Sequence, residues 1–166
     1  MDRVVHDRVD RLIQRGTREY PELDINAKAI TGRIVRVYNM VMRRFEPVFE
    51  SHGVNFFMYI TLAHLRLAGE PYELRPKELL KSSVITSGGL SNILNRLQKM
   101  GLIARSRDNE DGRGVMVNLT SAGKDLIDNL YAEIVSKEHE MTRVISKDEM
   151  EQLGGLLRKF LMSNEF

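Results

Sequence analysis

Residues 74–120, LRPKELLKSSVITSGGLSNILNRLQKMGLIARSRDNEDGRGVMVNLT, decide the fold. Pro76 suits a first helical turn, because its fixed φ and missing N–H cost nothing there, and Leu79 and Leu80 give the helix expected from about Pro76 to Ser82 an apolar side. Thr86 and Ser87 then offer capping hydroxyls to a second helix, in which Leu90, Ile93, Leu94, Leu97 and Met100 recur at helical spacing until Gly101 stops it. Beyond it, Leu102–Arg107 and Gly114–Leu119 alternate apolar and polar residues on either side of Asp108, Asn109, Asp111 and Gly112. Two short helices followed by a hairpin outline a helix-turn-helix with a β-wing.

The polar face of the second helix carries Ser87, Ser91, Asn92, Asn95, Arg96 and Lys99, side chains that can bond base edges or phosphates. Gly88 and Gly89 in its first turn each cost up to about 1 kcal/mol relative to alanine. A helix that keeps both points to a close backbone approach, and helix N-termini favour phosphate. An ordinary solvated face has the same composition, and the hairpin separates the two readings. Arg105, Arg107 and Arg113 gather towards its tip, more cations than covering a core needs, and Arg113 between two glycines can reach a minor groove.

Charge distribution agrees. The whole chain carries +2, but residues 74–124 hold nine basic against four acidic residues, a surplus of +5 that leaves −3 elsewhere. Basic charge gathered on one module is the footprint of phosphate binding.

With 166 residues the chain can bury a core without covalent staples, and it has no cysteine, which removes disulfides, thiolate zinc sites and thiol-oxidation switches. No apolar run approaches a membrane span and the N-terminus is charged from Asp2, so a cytoplasmic protein without membrane association is expected.

Upstream, residues 2–20 read as an amphipathic helix ending near Gly16, with Val5, Val9, Leu12 and Ile13 on one side and arginines around the rest, suited to packing on a partner. Pro21 breaks it, and Asp24 is placed to cap a long helix from Ile25 to about Ser51, with Pro47 near its end. A third helix, Asn55 to about Ala68, is apolar nearly all round and therefore central. Thr120 caps a helix to about Val144, and Ser146-x-x-Glu149 is a capping box opening a last helix striped with Met150, Leu153, Leu156, Leu157, Phe160 and Leu161. These terminal helices hold more apolar surface than one winged module can cover, which a two-fold homodimer resolves economically.

Enzyme chemistry is not indicated. His6, His52, His64 and His139 are scattered without metal-ligand spacing, no serine sits in a nucleophile elbow, and Gly154-Gly155 reads as a close-packing spot or kink. Neither a metal nor a cofactor is expected.

The run from Ser82 to Leu126 resembles the MarR family of winged-helix transcriptional regulators. The resemblance rests on Thr86-Ser87-Gly88, Asn95-Arg96-Leu97, Gly101-Leu102-Ile103, Arg105, Asp111-x-Arg113 and Leu119-Thr120-x-x-Gly123. Where the family's recognition helix often has a basic residue, this chain has Ile93. The resemblance implies a mainly α fold with a small β-wing, in which a winged helix-turn-helix region, 54–120, is flanked by helical dimerisation regions, 1–53 and 121–166. It implies double-stranded operator DNA as partner, read by Ser87, Gly88, Ser91, Asn92, Asn95, Arg96, Arg105, Arg107 and Arg113, with Asp111 supporting the wing.

Members of the family commonly sense small aromatic or anionic molecules between the dimer helices and the winged module. Tyr38, Arg43, Tyr59, His64 and Arg66 are the residues here that could line such a cavity, and core or surface packing explains each equally well. Residues 21–38 loosely resemble a branch that includes urate-responsive regulators, but the tryptophan and third-helix aspartate used there are absent. A ligand-responsive dimeric repressor is therefore expected. A winged module used only for protein contacts is the alternative, which DNA binding with a steep salt dependence distinguishes.

Overall fold

The structure, a computed structural model, describes residues 6–81, 85–108 and 114–164. It divides into two compact units, Met1–Glu46 and Pro47–Phe166.

The first unit contains α1 (Arg8–Glu19) and most of α2 (Lys28–Ser51). Asp7 caps α1 by accepting from Val9 N at 2.6 Å and Asp10 N at 3.0 Å, while Asp10 accepts from Asp7 N, a reciprocal capping box. Contrary to expectation, Gly16 does not end this helix. A Cβ there would lie 2.9 Å from Ile25 Cδ1, so the glycine serves close approach of the following loop, and α1 continues to Glu19 before Pro21. Asp24 accepts from Asn26 N at 3.0 Å and organises a turn rather than capping a helix directly, and α2 starts at Lys28 instead of Ile25. Arg33 on α2 joins the two helices: its Nε donates to Asp7 Oδ2 at 3.1 Å and its Nη2 to Asp10 Oδ1 at 2.7 Å. Pro47 lies inside α2 without ending it, and Gly53, at φ +68°, turns the chain out.

The second unit is organised around α3 (Phe56–Leu67), which Asn55 caps by accepting from Met58 N. Its Met58, Leu62 and Leu65 are fully buried, as its all-round apolar character requires. Around it lie β1 (Glu73–Leu74), α4 (Pro76–Lys81), α5 (Ser87–Lys99), β2 (Ile103–Arg107), β3 (Val115–Leu119) and α6 (Ser121–Thr142). Leu79, Leu97, Val117, Ile127, Leu130 and Ile134 complete the core. The sheet is antiparallel in the order β1-β3-β2, with Arg105 opposite Val117 and Leu74 also opposite Val117. The hairpin is thus extended to three strands, β1 being an addition to the two expected.

Thr120 caps α6 through Gly123 N, and its hydroxyl also donates to Gly101 O at 2.7 Å. Gly123 is required by space, since a Cβ there would stand 1.9 Å from Leu102 O. The last helix, α7 (Lys147–Met162), opens on the expected Ser146/Glu149 capping box but buries no residue, and Leu153, Leu156 and Phe160 are 49%, 67% and 42% exposed. A Cβ at Gly154 or Gly155 would meet open space, so neither is a close-packing spot within this chain. Among the described residues no helix is long and apolar enough to cross a membrane.

Candidate nucleic-acid interface

The recognition candidate is α5. Thr86, extended at φ −72°, caps it by accepting from Gly89 N at 3.2 Å, and the buried Leu90, Leu94 and Leu97 fix its rotation. That rotation leaves Ser87, Gly88, Ser91, Asn92, Asn95 and Arg96 exposed together, as the helical spacing predicts, with Ile93 half-buried beside them. The two glycines differ. A Cβ at Gly89 would crowd Ile85 and Thr86 at 3.0 and 3.2 Å, whereas Gly88 faces open space, so nothing among the described residues calls for a glycine at 88.

Within this face Ser91 Oγ donates to Ser87 O at 3.1 Å, a bond internal to the helix. Asn95 Oδ1 accepts from Arg105 Nη2 at 2.8 Å, which joins helix to wing. Arg105 and Arg107 are exposed on β2, two residues apart and therefore on one side of the strand. Asp111 and Arg113, expected to support the wing and to enter a minor groove, lie outside the described residues.

Sequence reading missed what anchors the wing. Asp108, counted as a turn residue, is 3% exposed and takes two bonds from Arg75, Nε to Oδ2 at 2.5 Å and Nη2 to Oδ1 at 3.3 Å. Arg75 immediately precedes α4, and its N–H donates to Glu78 Oε2 at 2.7 Å. One guanidinium thus fixes the base of the wing to the first helix of the helix-turn-helix. On the outer sheet face Asn118 accepts from Ser106 Oγ at 3.0 Å and donates through Nδ2 to Glu73 Oε2, a polar ladder across all three strands. The only sequence signal for either was the presence of charged and amide side chains at strand ends.

The five effector candidates fall in two groups. Tyr38 and Arg43 are on α2 in the first unit, Tyr38 58% exposed and Arg43 beside a cleft of about 390 Å³. Tyr59, His64 and Arg66 are on α3. Arg66 is already engaged, its Nε donating to Asp128 Oδ1 at 2.6 Å and its guanidinium carbon lying 5.0 Å from the Tyr72 ring centre. Lys124 also donates to Asp128, at 3.0 Å, and the Arg66 and Lys124 bonds hold that carboxyl below its usual range. Arg66 and Asp128 border a cleft of about 180 Å³ with Ala63, Leu67 and Tyr131. Tyr59 is buried and stacks on Tyr131 at 6.5 Å, and burial pushes its hydroxyl up to about 12. Burial likewise lowers the His64 pKa.

Residues 43–130 match the family model described as Transcriptional regulator SarA/Rot. The chain is 29% identical over 159 residues to the HTH-type transcriptional regulator PecS of Dickeya dadantii (strain 3937), covering 94% of this chain and 96% of PecS. A mutant MarR from E. coli, solved with operator DNA, superposes with a TM-score of 0.70 at 26% identity, over 84% of this chain and 99% of MarR. BpsR of Bordetella bronchiseptica shares the fold, with a TM-score of 0.69 at 21% identity, over 80% of this chain and 98% of BpsR. These are transcriptional regulators and not enzymes. Because the family model spans just over half of a chain that folds as a helix-turn-helix with a three-stranded wing, the chain belongs to the SarA/Rot family of transcriptional regulators, of the MarR winged-helix type.

Proposed function

We propose that the protein is a cytoplasmic, dimeric repressor that binds pseudo-palindromic double-stranded DNA and is released by a small aromatic or anionic effector. The observation that carries the DNA reading is the exposed set Ser87, Ser91, Asn92, Asn95 and Arg96, joined through Asn95 to the wing arginine Arg105. Asparagine and arginine are the side chains best suited to bidentate contacts with adenine and guanine in a major groove. Gly88 leaves room at the helix N-terminus for a phosphate, and Arg105, Arg107 and Arg113 serve the flanking backbone and minor groove. Asp111 supports the wing. Operator DNA bound to MarR is the parallel among similar proteins.

The exposed apolar stripe of α7 supports dimerisation through the helices of 1–53 and 121–166, leaving 54–120 as the DNA-binding region. Two copies related by a two-fold axis place two recognition helices on half-sites about one turn, ~10 bp, apart. Footprinting on selected operator sequences tests this: two protected half-sites are expected, and protection of one unrepeated half-site refutes it.

Release by an effector is supported by BpsR, whose DNA binding is regulated by 6-hydroxynicotinic acid. The cleft beside Arg66 and Tyr131 pairs a cation with an aromatic wall, and Tyr59 and His64 stand on the same helix. Tyr38 and Arg43 remain candidates on α2. A thermal-shift screen of phenolic acids and purines, followed by DNA competition, tests the switch. Stabilising compounds that never alter DNA affinity would leave a constitutive DNA binder.

A further inference from the structure

The first unit carries an arginine cluster that the DNA reading does not use. Arg8, Arg11 and Arg15 recur at i, i+3 and i+7 on α1, and Arg36, Arg43 and Arg44 at i, i+7 and i+8 on α2, so each set shares a helix side. Two clefts of about 390 Å³ each lie along them and share Arg8: one is lined by Arg8, Arg36, Asn39, Met40, Arg43 and Arg44, the other by Arg8, Arg11, Leu12 and Arg15.

Arg33, on the same helix, shows what an internally satisfied arginine looks like here, with bonds to both Asp7 and Asp10. Among the described residues none of the other six arginines forms such an ion pair. Six unneutralised guanidiniums converging on adjoining clefts repel one another, and the repulsion falls when an anion enters. A single carboxylate offsets only one of these charges, and a lone phosphate leaves most of a 390 Å³ cleft empty. The guanidinium fork matches phosphate oxygens in pairs, and Met40 and Leu12 give apolar wall for an organic body.

We infer that the arginine-lined clefts of α1 and α2 form a binding site for a small polyanion carrying two or more phosphate groups, built from none of the residues assigned to DNA reading. Inorganic tripolyphosphate and ATP distinguish a requirement for phosphates alone from one for an organic body as well.

The test is calorimetric titration of the full-length protein with tripolyphosphate, ATP and orthophosphate at fixed ionic strength. One tripolyphosphate or ATP per chain is expected, at least tenfold tighter than orthophosphate, with about tenfold loss for R43A and again for R36A. R43K should retain part of the affinity, and R105A, on the wing, should bind tripolyphosphate unchanged. Absence of saturable binding overturns the inference, as does loss of binding in R105A with retention in R36A/R43A. The DNA arm discriminates further. If R36A/R43A lowers the salt slope of DNA affinity while leaving tripolyphosphate binding intact, the cluster contacts DNA backbone instead and the inference falls.

Discussion

Arg105 on β2 donates a 2.8 Å hydrogen bond to Asn95 on α5, ten residues earlier in the chain. Both side chains are exposed, so the bond contributes little to stability, but it fixes relative to one another the wing cation and the helix amide that we propose meet DNA. Arg105→Ala should weaken DNA binding by about 1–3 kcal/mol and reduce the salt slope by about one. Because the two residues act as a unit, the Arg105→Ala/Asn95→Ala double variant should lose at least ~0.5 kcal/mol less than the sum of the single changes. Electrophoretic or anisotropy titrations of the two single variants and the double variant check this, and strict additivity would separate their roles.

Asn92, exposed on the same face, should behave differently. Asn92→Ala is expected to relax preference at particular base pairs, with a discrimination loss of about 1–3 kcal/mol, while leaving non-specific affinity nearly intact. Arg113→Ala should instead weaken binding to all sequences. Affinity measured across a library of operator variants distinguishes the two profiles.

The Arg75–Asp108 pair predicts an asymmetry in stability. Asp108 has a side-chain exposure of 4% and Arg75 of 29%, so Arg75→Ala removes a cation from a carboxylate that water barely reaches, whereas Asp108→Ala leaves a guanidinium that can turn to solvent. We expect both changes to destabilise the protein in denaturant unfolding by on the order of 1–3 kcal/mol, Arg75→Ala the more of the two. Equal losses would contradict the inequality of burial.

Gly123→Ala places a methyl carbon where Leu102 O lies 1.9 Å away, and backbone cannot yield as a flexible side chain does. A loss of at least ~2–3 kcal/mol is expected, read as a lowered Tm. Gly88→Ala, facing open space, should be neutral or stabilising by up to about 1 kcal/mol and should lower DNA affinity if phosphate approaches there.

Tyr59 gives a pH dependence. Burial raises its folded-state pKa from 10.0 to about 12, so the neutral hydroxyl is the form that folding favours. The native state holds this proton more tightly than the unfolded chain, and the contribution is complete below pH 10 and lost as pH rises through about 12. On the order of 2–3 kcal/mol is at stake. Tyr59→Phe should flatten this alkaline limb of stability, measured by urea unfolding across the range.

How far the sequence foretold this structure varied with the range of the interaction. Leu90, Leu94 and Leu97 announced the rotation of α5, and Thr86, Thr120 and the Ser146/Glu149 pair the starts of α5, α6 and α7, because periodicity and capping are local. β1 was not legible, since Glu73 and Leu74 are too few to show an alternation and acquire strand character only from pairing with Asn118 and Val117. Arg75–Asp108 and Arg66–Asp128 span 33 and 62 residues, and nothing local distinguishes these arginines from solvated ones. Gly16 misled because a glycine that admits a neighbouring side chain reads like one that ends a helix.

The joint at Thr120 bears on how any signal could travel. Thr120 N donates to Leu102 O, its hydroxyl donates to Gly101 O, and Gly123 rests against Leu102 O, so the start of α6 is fastened to the end of the recognition-helix segment with no slack. At 22 residues α6 is a shaft about 33 Å long. A shift of ~3 Å at its Thr142 end therefore corresponds to a turn of only about 5° at the joint. A rigid rod of this length acts as a reduction gear, exchanging coarse travel at one end for fine angular adjustment at the other.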